Sequence, residues 1–140
     1  MGQDLSTLFY RSETLLPPYG PEAAALRAQC VASNEQTGLT GYLHHEDGLF
    51  AQYVEGADAV VRTLLDKLLS DDRHRRMEIL SREGSDHRRF TGWAMAASPS
   101  MGPIPELRAP RLDLDAVLNE FDMACIAVAL QGIGAERHQA

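Results

Sequence analysis

An α+β fold, with one largely antiparallel sheet and both early helices on a single face, is predicted by three observations in this 140-residue chain. Five segments have the alternation or apolar β-branched and aromatic content of strands, and two between them repeat apolar residues at helical spacing. A tight-turn dipeptide, Asp47-Gly48, joins two of the strands directly. The resulting order, βαββαβ with an added fifth strand, is the ferredoxin-like pattern, in which the first and third strands are central neighbours.

The elements follow in turn. STLFYRS reads as the first strand, and the turn-rich LLPPYGPE leads into a helix at Gly20-Pro21, because proline at the first helical position gives up an N–H that has no partner there. An Ala-rich run continues that helix through Ala32, with Asn34 at its exit. GLTGYLHH and LFAQYVEG form a hairpin around Glu46-Asp47-Gly48, where Asp-Gly supplies the positive backbone angles. A second helix, capped by Asp58, buries the pairs Val60/Val61, Leu64/Leu65 and Leu68/Leu69. MEILSREG and GWAMAAS supply the last two strands. Pro103, Pro105 and Pro110 mark a linker, after which Leu114, Val117, Leu118, Phe121, Cys125 and Val128 form one helical stripe. So broad an apolar surface needs a cover: the sheet face left bare by the first two helices, or a dimer or partner interface.

Composition narrows the function. The chain has the length of one domain, and its 44% hydrophobic content suffices for a core. A net charge of −7 argues against a general nucleic-acid or anionic-membrane binder. Arg73, Arg75, Arg76, Arg88 and Arg89 are local exceptions, read on their own as a solvated face. No apolar run approaches the roughly 20 residues that cross a bilayer, and MGQDLSTLFY has no basic start followed by an apolar segment, so a cytoplasmic location is expected. Cys30 and Cys125 sit in apolar helical patterns and read as buried thiols. His44 and His45 are adjacent and must face opposite ways on a strand, while His87 and His138 lie in charged segments, so no metal set is expected. Phosphate-loop, GxSxG and HExxH motifs are absent.

One residue resists this reading. In GLFAQYVEG, alternation puts Phe50, Gln52 and Val54 on one face and Leu49, Ala51 and Tyr53 on the other, leaving an amide between two apolar side chains. A buried amide without partners costs on the order of 1–3 kcal/mol. Tyr10, on the neighbouring first strand, is where it could meet Gln52, and its hydroxyl both donates and accepts, as the amide does in either of two orientations.

From Leu5 to Ser98 the sequence resembles the BLUF family of blue-light sensors that use flavin. The resemblance rests on YRS with Tyr10, NEQTGLTGYL with Asn34, GLFAQYVEG with Gln52, DDRH with Arg73 and His74, and RRFTGWAM with Trp93 and Met95, all in order. It implies a non-covalent flavin, FAD foremost with FMN or riboflavin as alternatives, lying between the first two helices. Asn34, Arg73, His74 and Asp71 would then hold the polar edge of the ring. Read alone, Asn34 is a helix cap and Arg73 and His74 an exposed turn.

The resemblance further implies that Tyr10 and Gln52 form the light switch, with Trp93 and Met95 competing for the place beside the glutamine. Residues 1–98 would be the photosensory domain and 99–140 a linker and helical extension. Some forty residues after Ser98 are too few for an output domain. A short, stand-alone, non-catalytic photoreceptor is therefore expected, signalling to a separate partner protein or through a homodimer. Two readings compete: a non-photoactive regulatory domain that binds a small ligand or a protein, and an acylphosphatase-like enzyme. The second needs an anion loop at the start of the first helix, and Pro21 lacks the N–H for it.

Overall fold

The computed structural model describes residues 4–71, 75–90, 96–98 and 103–124. Strands β1 (Leu5–Glu13), β2 (Thr40–Glu46), β3 (Leu49–Ala57), β4 (Arg75–Ser85) and β5 (Ala96–Ser98) form one sheet in the order β4-β1-β3-β2-β5. Neighbours among the first four are antiparallel, and β5 runs parallel to β2. Helices α1 (Pro21–Thr37) and α2 (Asp58–Leu69) make the two crossovers, giving the ferredoxin-like architecture with its added strand. A single 3-10 turn, Pro105–Arg108, and a third helix, α3 (114–124), complete the described chain.

Alternation along the strands sorts the core into two layers. On one face Leu8, Tyr10, Leu43, Phe50 and Val54 pack with Leu26 and Val31 of α1 and with Val61, Leu64 and Leu68 of α2. On the other, Phe9, Tyr42, Leu49, Ala51 and Tyr53 are covered by Ile104, Leu107, Val117, Leu118 and Phe121. The apolar stripe of α3 thus covers the bare sheet face, and Phe121 sits edge-on to Phe9 at 5.9 Å between ring centroids.

Three local expectations change. α1 runs one turn past Asn34 to Thr37 and ends in a left-handed Gly38 at φ 76°; the carbonyl of Asn34 accepts the Gly38 and Leu39 N–H groups. Asp58 is the first helical residue of α2, whose N-cap is Ala57; its carboxylate pairs with Arg62 and Arg82 rather than capping the helix. At the Asp47-Gly48 turn Gly48 has a positive φ, 80°, and Asp47 does not, so Asp47 turns the chain from the ordinary region.

Candidate functional site

β1 and β3 are in register at Tyr10↔Gln52, and β3 and β2 at Gln52↔Leu43, so one row across the sheet brings these three side chains to the face beneath α1 and α2. The two helices do not close over that row. Between them lies a cavity of about 250 Å3 with Tyr10, Leu43, Phe50 and Gln52 as its floor. Leu26, Gln29, Cys30, Ser33 and Asn34 of α1 form one wall; Leu64, Lys67 and Leu68 of α2, followed by Asp71, form the other. A second cavity of about 240 Å3 shares Ser33, Asn34, Leu64 and Lys67 with the first and extends it past Thr37 and Thr63. The result is a long, mostly apolar slot with a few convergent polar groups, as small-molecule sites are built.

At its floor the Tyr10 hydroxyl donates to Oε1 of Gln52 at 2.6 Å. Tyr10 is 1% exposed and Gln52 3%. Burial first, with the charges of Cys30 and Asp71 adding to it, pushes the Tyr10 hydroxyl far above the usual phenol range and keeps it protonated. Asn34 is also buried, at 4% exposure, and lines the slot, where its carboxamide has a donor and an acceptor to offer. Behind the floor, His45 packs against Phe50 with ring centroids 4.1 Å apart and the planes tilted by 39°, and it bonds the Leu16 carbonyl at 2.9 Å. Burial lowers its pKa, so it is a neutral packing group at neutral pH.

The slot therefore unites Tyr10, Gln52, Asn34 and Asp71. Arg73, His74, Trp93 and Met95 lie outside the described residues. Sequence reasoning missed Lys67, Gln29 and the position of Cys30, which is half-buried, packs at the edge of the core beneath the helices and also lines the slot. Lys67 had a signal, because Leu64, Lys67 and Leu68 follow i, i+3, i+4 and so share a face of α2. Among the described residues there is no cluster of side chains suited to a metal ion, and no helix long and apolar enough to cross a membrane. A larger depression of about 760 Å3, bordered by Asp4, Asp58, Arg82 and Glu83, shares no residue with the slot; it is an open surface where Asp58 is already ion-paired.

The family model for BLUF, the sensors of blue-light using FAD, matches residues 5–96. Photoactivated adenylate cyclase subunit alpha-like protein FB of Euglena gracilis is 37% identical over 71 residues, 51% of this chain and 7% of that protein. The chain thus spans less than a tenth of that relative's length. Among solved structures, the BlrP1 BLUF domain is 33% identical with a TM-score of 0.61, over 71% of this chain and 67% of that one. The BlsA ground state, at 22% identity, shares the fold with a TM-score of 0.72, over 84% and 87% of the two chains. With that match over most of the sheet and both helices that bound the slot, the chain belongs to the BLUF family and carries a flavin-based, blue-light-sensing photoreceptor domain.

Proposed function

We propose that Tyr10 and Gln52 are the photoactive pair and that the slot between α1 and α2 holds the flavin, FAD foremost, without a covalent bond. The observation that carries this is the 2.6 Å hydrogen bond between them on the floor of a slot otherwise walled by apolar side chains. The residues fit such a group: a flat aromatic ring suits Leu26, Leu64, Leu68 and Phe50, and a polar ring edge suits the carboxamide of Asn34, with Lys67 and Asp71 also on the lining. Arg73 and His74 carry the family's flavin-binding motif, and Trp93 and Met95 its signalling positions.

A bound flavin supplies absorption of blue light and, once excited, an acceptor for one electron. Tyr10 would be the donor of that electron, its hydroxyl proton leaving along the hydrogen bond to Gln52 and coming back with the electron, and the Gln52 amide would be the group whose rotation or tautomerisation records the event. A carboxamide suits this role because its two orientations exchange donor for acceptor at nearly equal energy, which leucine, methionine or glutamate does not reproduce. Residues 1–98 are the sensor; 99–140 form a linker and helical extension that carry the change to a separate signalling protein, with a homodimer as the alternative output. The sensor itself catalyses no reaction in this reading, and a lit state shifts a partner's equilibrium by its difference in affinity from the dark state.

Light-minus-dark absorption of FAD-loaded wild type and Gln52→Leu tests the pair. The variant is expected to keep its flavin and lose the normal light-induced shift to longer wavelength. A normal photocycle in Gln52→Leu refutes the assignment.

A further inference from the structure

Glu55 is 1% exposed and lies on β3, three residues beyond Gln52 and on the opposite face. A carboxylate so placed ordinarily has a cationic partner, since an uncompensated buried charge is costly. Among the described residues none is within ion-pair distance of it. Its oxygens instead accept backbone N–H groups of the segment that follows β4: Arg89 at 2.7 and 2.6 Å and Phe90 at 3.0 and 3.3 Å. The grip is reciprocal. Nη1 of Arg88 reaches the Gly38 carbonyl at 2.8 Å, Oγ1 of Thr40 at 3.0 Å and the carbonyl of Glu55 itself at 3.2 Å.

This clamp ties residues 88–90 to the elements that build the slot. Gly38 is the cap of α1, bonded to Asn34, and Thr40 opens β2. β2 also pairs with β5, and the pairing falls on the switch row: Ala97 opposes Leu43, which opposes Gln52, which opposes Tyr10. Two neutral N–H groups could be satisfied by a neutral acceptor. A buried charge spent on them strengthens each hydrogen bond and orients both at once. What that rigidity protects is the relation between the start of the β4–β5 connection and the row containing Gln52.

We propose that Glu55 is a positioning residue for the photoswitch, holding the β4–β5 connection through the Arg89 and Phe90 amides so that β5 keeps a fixed place beside the Tyr10–Gln52 row. It touches neither the flavin nor the pair. Its loss leaves the switch able to turn but lowers the resistance to turning back. The inference rests on the light-switch reading above.

The test is the dark-recovery rate of FAD-loaded protein after a blue-light pulse, for wild type, Glu55→Gln and Arg88→Ala, with flavin content and unfolding midpoint measured on the same samples. Glu55→Gln keeps shape but replaces one acceptor with a donor that faces an N–H. Both variants are expected to bind flavin, to form the shifted state, and to recover at least about threefold faster. Flavin-loaded, folded variants that recover at the wild-type rate overturn the proposal; should Glu55→Gln not fold, Arg88→Ala decides by the same criterion. A wild type that binds FAD and shows no shift overturns the switch reading itself, and this inference with it.

Discussion

The two faces of the sheet are built from the same strands and do opposite things. Tyr53 and Gln52 are neighbours in β3, yet Tyr53 joins a filled aromatic layer with Phe9, Phe90 and Phe121, whereas Gln52 lies under a slot that α1 and α2 leave open. Protein interiors pack densely, and a hole lined by leucines costs stability. An open slot above a closed core in one small domain is therefore the candidate site, with polar residues at its edge. The filled face serves the fold and its C-terminal cover; the open face is the one to which the proposed function assigns light sensing.

Substitutions on the two faces should separate these roles. The largest effect belongs to the open face: Gln52→Leu is expected to abolish the normal light-induced shift while changing unfolding free energy by no more than about 1 kcal/mol. Equal losses of stability and photochemistry would erase the distinction. On the filled face, Phe121→Ala removes a ring that is 0% exposed and is expected to cost about 3–5 kcal/mol in denaturant unfolding, while folded protein retains its spectral shift. Smaller again, Asn34→Ala is expected to weaken FAD binding about tenfold, or about 1.4 kcal/mol, when followed by flavin fluorescence titration. Unchanged affinity would return Asn34 to the role of a helix residue.

The smallest effect concerns pH and the joint between the filled face and its cover. Burial acts to raise the pKa of Glu46, but hydrogen bonds from the Ile104 N–H, His44 and Arg108 outweigh it and hold the carboxyl below its usual 4.5. Its folded pKa lies below the unfolded one, so its stabilisation is complete above about 4.5 and is lost as pH falls through the folded value. Glu55 has the opposite sign: burial raises its pKa, so its charged form costs stability at neutral pH and that cost is relieved on acidification. The urea-unfolding free energy between pH 7 and about 3 is expected to fall less steeply below about pH 4.5 for Glu46→Gln than for wild type, and more steeply above it for Glu55→Gln. Parallel curves would remove both assignments.

Much of this was legible in the sequence because it depends on local pattern. The period of two placed Gln52 and Tyr53 on opposite faces, Gly20-Pro21 began α1, and the stripe of Leu114, Val117, Leu118 and Phe121 announced a helix needing cover. Contacts distant in sequence were not legible. Arg88 and Arg89 read as a solvated face, yet Arg88 clamps three oxygens and Arg89 pairs with Asp122 at 2.8 Å, because charged side chains report their partners only once the chain has folded. Arg11 likewise holds the carbonyls of Leu107 and Ala109 at 2.9 and 3.0 Å, fastening the linker in a way no composition signals. Of the site, the family motifs pointed to Tyr10, Gln52 and Asn34; the slot's volume and the place of Lys67 emerged only from the separation of two helices.

The most direct test of the account is the absorption spectrum of the purified, FAD-loaded wild-type protein in darkness, after blue light, and again after dark recovery. The account predicts a flavin spectrum that moves modestly to longer wavelength without bleaching and then returns. A protein that remains colourless after incubation with FAD, or that binds it and shows no reversible shift, would contradict it.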